Sequence, residues 1–441
     1  MRILLASVLT SFLLTSFTVA QRNFGNPFVY ENEAGQTMPY RLFTPPESTS
    51  GVDLPLVVFL HGAGETGTDN RLPVAVHING LIAATQEGQY PAYLLVPQVP
   101  SDGNGWSADG VKDLGIEIVE SLSASLPIDT NRTYVTGLSM GGFGSFNYIT
   151  QHPDKFAAAV PMSGGYDPSA ADLIKDIPIW SFHGDRDTTV SPQGSREMYD
   201  AITQAGGTTH LSEVVASSHV IWSRIYGDAS LDNYGLYDWL FSQTLDRRES
   251  ETLIPFGSEW SYVDDGSDQG ELWRATEYDD GEWKRGAAPL GFGYNDEATV
   301  VACGSVADCE IDKHATFYFR KEFTVDDPSQ LENVMAQVER DDGAIVYVNG
   351  VEVFRDANIR STTTFDTFAR THALDNGHSA FRIDDSIVAG VNTIAIELHQ
   401  TSREPTDLRF DLRLTAVAVP EPSTLSLCLV GCVALYLRRH A

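Results

Sequence analysis

Hydrophobic and polar positions divide this 441-residue chain into two textures. In the first half, apolar residues come in unbroken runs: Leu54-Pro55-Leu56-Val57-Val58-Phe59-Leu60, Tyr93-Leu94-Leu95-Val96, and the segments 156–162 and 177–182. A strand that is apolar at every position is buried on both faces, which suits a parallel sheet covered by helices. Helical spacing alternates with these runs. Val111, Leu114, Ile118, Val119, Leu122 and Leu126 share one face, and 143–152, 192–205 and 234–244 read as further helices. Residues 28–45 alternate around Glu33-Ala34-Gly35-Gln36 as a β-hairpin, and one more strand is expected at 211–215. Strands alternating with helices predict an α/β domain with a mostly parallel sheet.

From Leu253 onward the texture changes. Short alternating segments (316–325, 336–340, 345–348, 393–399 and 407–417) sit between Gly, Asp and Asn turns, with no helix longer than two turns. Asn349-Gly350 between two apolar stretches is a strong hairpin signal. An all-β, jelly-roll-like sandwich is expected here. The charged run Asp246-Arg247-Arg248-Glu249-Ser250-Glu251 marks the linker.

The two ends have their own signatures. Arg2, an apolar run and the small residues up to Ala20 read as a secretory signal peptide, so the protein is expected to be exported. At the other end, Pro420-Glu421-Pro422 precedes an apolar segment from Leu425 to Leu437 and then Arg438-Arg439. The expected organisation is a signal peptide at 1–20, an α/β domain at 24–246, a linker at 247–258, a β-sandwich at 259–417 and a tail at 418–441 with a short transmembrane segment.

Charge narrows the partners. Asp and Glu number 60 against 29 Lys and Arg, a formal net charge of −31. Such a surface repels nucleic acid and anionic lipid. Four cysteines are present; Cys303 and Cys309 lie close together, and export favours a disulfide between them. No Cys/His cluster has zinc spacing, and no cofactor is implied.

Chemistry centres on Arg132-Thr133-Tyr134-Val135-Thr136-Gly137-Leu138-Ser139-Met140-Gly141-Gly142. A strand, then Gly-x-Ser-x-Gly, then a helix is the context of a nucleophile elbow, with Ser139 standing above the sheet. A serine hydrolase also needs a base, a carboxylate that orients it and donors for an oxyanion, with the acid and then the histidine downstream of the nucleophile. Asp185 and Asp187 compete for the acid, both just past the strand ending Phe182-His183-Gly184. Asp187 is preferred because it opens an Asp-x-x-Val turn; the alternative is that both aspartates only form turns. His219, in a loop after the strand at 211–215, is preferred over His210, which precedes that strand. His61 and His183 end other strands and are read as supporting residues. The amides of Met140 and of Ala63, with Gly64 in reserve, are the expected oxyanion donors. Trp106 and Trp222 are candidate pocket walls.

These pieces resemble a known group. Residues 54–245, through HGAGETGTDN from His61, VPQVP from Val96, the elbow, FHGDRDTTVSP from Phe182 and SSHVIWSRIYGD from Ser217, look like the secreted α/β-hydrolase esterases grouped with polyhydroxybutyrate depolymerases, feruloyl esterases and predicted peptidases. The resemblance implies a Ser139, His219, Asp187 triad acting on carboxylic esters. Thr66 departs from the usual arginine and Phe146 from a common tryptophan, which leaves specificity open. The second half, through Asp279-Asp280-Gly281-Glu282-Trp283 and Asp341-Asp342-Gly343, resembles galactose-binding-like jelly rolls, implying carbohydrate contact through Trp273 or Trp283, with core tryptophans the simpler alternative. The oxygen ligands of the repeated Asp-Asp-Gly suit calcium, though ordinary Asp-Gly turns explain them more cheaply. The tail resembles the PEP-CTERM sorting signal, implying transient membrane anchoring and a sorting protease at the cell envelope. Three readings follow: an esterase on polysaccharide-linked acyl groups or polyesters, a serine peptidase with the same triad, and a catalytically inactive surface-binding protein.

Overall fold

The computed structural model describes residues 25–75, 77–87, 89–100, 105–108, 110–227, 234–246, 250–302, 314–371, 377–402 and 407–419. The signal peptide, the Cys303–Cys309 pair and the Pro420-Glu421-Pro422 tail with its transmembrane segment lie outside them. Among the described residues no helix is long and apolar enough to cross a membrane.

The first half folds around an eight-stranded sheet, in the order β1-β2-β4-β3-β5-β6-β7-β8. Its strands are β1 (Asn26–Glu31), β2 (Thr37–Phe43), β3 (Leu54–Leu60), β4 (Tyr93–Pro97), β5 (Ile128–Leu138), β6 (Ala158–Met162), β7 (Ile179–Gly184) and β8 (Thr209–Val214). Strands β3 to β8 run parallel, while β1 and β2 form an antiparallel hairpin that joins the sheet through β4. Every residue of β3, β4, β6, β7 and β8 is buried; in β3, β4 and β6 this is what apolar runs packed on both faces require, whereas β8 buries Thr209, His210, Ser212 and Glu213 as well. The helices are α1 (Leu72–Ala75), α2 (Asn79–Gln86), α3 (Val111–Ser125), α4 (Met140–Gln151), α5 (Ala171–Ile174), α6 (Gln193–Gln204), α7 (Trp222–Ile225) and α8 (Leu236–Ser242). The α3 stripe of Leu114, Ile118, Val119 and Leu122 is buried as its spacing anticipated.

The second half contains two six-stranded sheets, β11-β10-β14-β19-β16-β17 and β13-β12-β20-β15-β18 with β9 added on β20. Their strands are β9 (Ser250–Ile254), β10 (Glu259–Val263), β11 (Lys284–Ala287), β12 (Leu290–Phe292), β13 (Thr299–Val300), β14 (Thr316–Val325), β15 (Leu331–Asp341), β16 (Gly343–Val348), β17 (Val351–Arg355), β18 (Gly377–Arg382), β19 (Gly390–His399) and β20 (Leu408–Ala418). The sheets share one core, in which Phe319 stacks on Phe410 at 4.2 Å and Phe354 on Phe381 at 4.3 Å. Asn349 and Gly350, both at positive φ, turn β16 into β17. One boundary needs correction: the expected linker 247–258 contains strand β9, whose Ser250 and Glu251 pair with Val417 and Ala416. Its polar residues sit on an exposed edge, so no hydrophobic alternation announced it. Strand β20 also runs one residue past the expected boundary at 417, to Ala418. Trp273 is fully buried against Tyr318, which removes it as an exposed sugar contact.

The two halves are joined along β8, whose outer edge has no further strand of its own sheet. The side-chain amide of Gln337 on β15 accepts from the Leu211 amide at 3.2 Å and donates to the Leu211 carbonyl at 2.9 Å. Ser212 accepts from the Ala380 amide and donates to its carbonyl, both at 3.0 Å. Arg413 donates to the Thr209 carbonyl at 3.0 Å. Met335 and Ala380 complete the apolar cluster beneath. The Leu211 amide and carbonyl and the Thr209 carbonyl on this open edge are thereby satisfied from the second unit.

Two expectations follow. Gln337→Ala strands two buried backbone groups and should lower stability by about 1–3 kcal/mol in urea unfolding. Burial also holds three histidines neutral, pushing His61 down to about 4 and His210 and His378 down to about 3. Each ring takes its proton more readily in the unfolded chain, so stability falls as pH drops below the ordinary histidine value of 6.5. Each contributes up to about 1.4 kcal/mol per pH unit. Urea midpoints at about pH 7 and about pH 5 should therefore differ well before carboxylates titrate.

Candidate active site

The elbow works because three backbones approach too closely for side chains. A β-carbon on Gly137 would lie 2.4 Å from the Gly141 carbonyl, and one on Gly141 only 1.9 Å from the Leu60 carbonyl. Between them Ser139 takes φ 54°, ψ −117°, a strained conformation for a non-glycine residue. It is held by its amide on the Met162 carbonyl at 2.9 Å and by the Gly142 and Phe143 amides on its own carbonyl. The strain turns the hydroxyl out at the C-terminal edge of β5, over the strand ends that carry the other groups.

Those groups arrive on the loops leaving β7 and β8, which are stitched together. The Asp185 amide donates to Val214, the Arg186 amide to Ser217, and the Asp185 carboxylate accepts from the Ser217 amide at 2.9 Å. Asp185 therefore secures the loop that bears His219 and does not touch the ring. Asp187 does: its Oδ2 lies 2.6 Å from His219 Nδ1, while His219 Nε2 lies 2.9 Å from Ser139 Oγ. A carboxylate only accepts, so Nδ1 carries the proton and Nε2 is free to receive one from the serine. Asp187 has no exposed side-chain surface, and its Oδ1 accepts from the Thr189 and Val190 amides at 2.8 and 2.9 Å. Burial acts to raise its carboxyl, but the His219 hydrogen bond and these amides outweigh it and hold it below the usual carboxylate range.

The remaining candidates divide. Met140 opens α4 directly after Ser139, and Ala63 begins a 3-10 turn, Ala63–Glu65, just beyond β3. A β-carbon on Gly62 would meet the Leu138 side chain at 2.8 Å, so this turn lies against the elbow with Gly64 in it. His61 fixes the turn: its Nδ1–H donates to the Gly62 carbonyl at 2.6 Å and its Nε2 accepts from the Val99 amide at 3.0 Å. His210 sits apart, buried against Trp180 and Trp239 at the start of β8. The two tryptophans need correction as pocket walls. Trp106 is 1% exposed, donating to the His61 carbonyl at 2.9 Å beneath α4. Trp222 is 5% exposed and backs the His219 ring edge-to-face at 5.4 Å, so it braces the imidazole from the core side. Phe146 is fully buried as well.

Sequence reading missed Ser163, at φ 48°, whose hydroxyl donates to the His219 carbonyl at 3.2 Å, and Ser195 on α6, which contacts His183. Nothing in a lone serine's neighbours signals such a role. Among the described residues no His, Cys, Asp and Glu cluster is arranged to hold a metal ion.

A hydroxyl hydrogen-bonded to an imidazole that is itself oriented by a carboxylate can be activated as a nucleophile. Several proteins similar to this chain carry esterase or depolymerase names. Residues 32–216 match the family described as "Putative esterase". The chain is 29% identical over 169 residues to a bifunctional acetylxylan esterase/xylanase of Neocallimastix patriciarum, covering 37% of this chain and 23% of that protein. It is 27% identical over 228 residues to poly(3-hydroxyalkanoate) depolymerase C of Paucimonas lemoignei, covering 41% and 53%. A solved thermostable esterase aligns at 35% identity with a TM-score of 0.46, covering 50% of this chain and 63% of that one. The chain thus spans about half or less of the length of these two curated relatives.

Because the Leu60 carbonyl leaves no room at residue 141, Gly141→Ala should destabilise the fold by about 1–3 kcal/mol. It should also slow fluorophosphonate labelling of Ser139 in whatever protein folds, measured alongside thermal unfolding.

Proposed function

We propose that this protein is an exported serine hydrolase of carboxylic esters. The observation that carries the reading is the continuous chain Ser139 Oγ to His219 to Asp187, at 2.9 and 2.6 Å. Ser139 attacks the ester carbonyl while His219 takes its proton. Asp187 holds the ring in the required tautomer and stabilises the imidazolium. The amides of Met140 and Ala63 receive the developing oxyanion. His219 then returns the proton to the leaving alcohol, and water repeats the sequence on the acyl-enzyme. Residues 24–246 form the catalytic domain in this scheme, and no step needs a cofactor.

The substrate class is an acyl group on a polysaccharide or a polyester, in line with relatives named for acetylxylan and poly(3-hydroxyalkanoate). The C-terminal unit, read as a galactose-binding-like accessory domain, would hold the polymer near the site. Export by the N-terminal signal and sorting by the tail, with transient anchoring, put the enzyme at the cell envelope or outside it.

Ser139→Ala should lower p-nitrophenyl acetate turnover by about 10^6-fold, and Asp187→Asn by about 10^4-fold. Fluorophosphonate should label the parent at Ser139 and leave Ser139→Ala unlabelled; an unlabelled parent that is folded would refute the mechanism. Rates on acetylated xylan, feruloyl sugars and hydroxybutyrate oligomers then rank the substrates.

A further inference from the structure

Asp187 is approached by two histidines. Beside His219, the Nε2 of His183 lies 3.3 Å from the same oxygen, Oδ2, and 3.1 Å from the Val190 carbonyl. Its other nitrogen, Nδ1, is 2.7 Å from Ser195 Oγ, and that hydroxyl is 2.7 Å from the Gly164 carbonyl. The His183 side chain is completely buried.

The protons can be counted. The Gly164 carbonyl only accepts, so the single hydroxyl proton of Ser195 belongs on it. Nδ1 must then donate to Ser195 Oγ. Nε2 faces a carbonyl and a carboxylate, both acceptors, and must donate as well. A ring with one proton leaves two lone pairs opposed at close range somewhere along this chain, in a place where no solvent relieves them. Both ring nitrogens therefore need a proton.

We propose that His183 is held as an imidazolium donating from both nitrogens, and that it is a positioning residue for Asp187. This rests on the reading of Ser139, His219 and Asp187 as the catalytic set. With His183 in place the carboxylate accepts four donors: the Thr189 and Val190 amides on Oδ1, and the two imidazoles on Oδ2. All its lone-pair positions are occupied, so it cannot rotate away from His219 without losing a bond. The cation also offsets the buried negative charge, which limits how strongly Asp187 retains a proton on His219.

The groups facing His183 come from several elements. Burial is the largest electrostatic influence and by itself pulls the ring below the ordinary histidine value; the Val190 carbonyl and Asp187 favour the charged ring without fully offsetting it, and a charged His219 opposes it. Ser195 comes from α6 and Gly164 from the turn after β6. Its cross-strand partner on β8, Glu213, is engaged at 3.0 Å by Arg196 and also by the His378 amide. The hydrogen-bond count decides among these opposing influences.

The test is a two-bond 1H–15N correlation spectrum of the full chain labelled at histidine, recorded at about pH 7.5. One ring should show both nitrogens protonated. Its signals should vanish in His183→Gln and its Nδ1 should shift in Ser195→Ala. A spectrum in which every ring has one bare nitrogen overturns the proposal, and needs only the parent protein. In kinetics, loss of the cation in His183→Gln should move the acid limb of the kcat/KM profile upward by about one pH unit. A purely structural role would lower the rate and leave that limb where it was. Failure of the parent to label at Ser139 would instead sink the catalytic reading, while the spectrum would still decide the charge of His183.

Discussion

The Leu60 carbonyl occupies the space that a β-carbon on residue 141 would need. That contact lets α4 start immediately above the ends of β3 and β5, and much of the site follows from it. With the helix so close, the backbone has one residue in which to reverse, and Ser139 absorbs the turn as strain. The same proximity sets the turn after β3 against the elbow, with Gly62 packed on the Leu138 side chain. Neighbouring contacts repeat the device: β-carbons on Gly142 and Gly184 would meet the carbonyls of Met162 at 2.3 Å and Ser218 at 2.1 Å. Glycine here is a requirement of distance more than of flexibility.

Much of this was legible in the sequence for one reason. A parallel sheet covered on both sides demands unbroken apolar strands, and such strands end where the chain turns polar, so the loops that carry Ser139, Asp187 and His219 announce themselves. The choice of His219 over His210 followed the same logic, since position relative to a strand's end decides what a side chain can reach, while Asp187 was separated from Asp185 by the Asp-x-x-Val turn it opens. What was hidden depends on direction rather than pattern. Trp106 and Trp222 stand close to the elbow and to His219 in sequence or space, yet both rings point into the core, because indoles this large gain more from burial than from lining an open site. Strand β9 was hidden because its first three residues are polar and exposed, and only Ile254 at its end reaches the core. The part played by Ser195 depends on a hydrogen bond to a distant strand, which no local composition encodes.

Electrostatics divides the histidines by the same principle. Those with a donor and an acceptor at fixed positions, such as His61, are held neutral and serve as rigid links between loops. His219 faces a carboxylate on one side and a hydroxyl on the other, which leaves it one nitrogen able to exchange a proton. The buried Asp187 carboxylate is tolerable only because donors surround it, and the same donors give it a fixed aim.

The seam at β8 has a consequence for how the two halves share a history. Gln337 and Arg413 do for part of the sheet's last strand what a ninth strand would do, so the catalytic half carries no finished surface on that side. A piece cut at residue 246 would present a bare row of amides and carbonyls, ready to stick to its own copies. The C-terminal half is thus a built-in gatekeeper against self-association. Shuffling it onto another enzyme, or replacing it with a different binding module, would mean redesigning an edge as well as joining two ends.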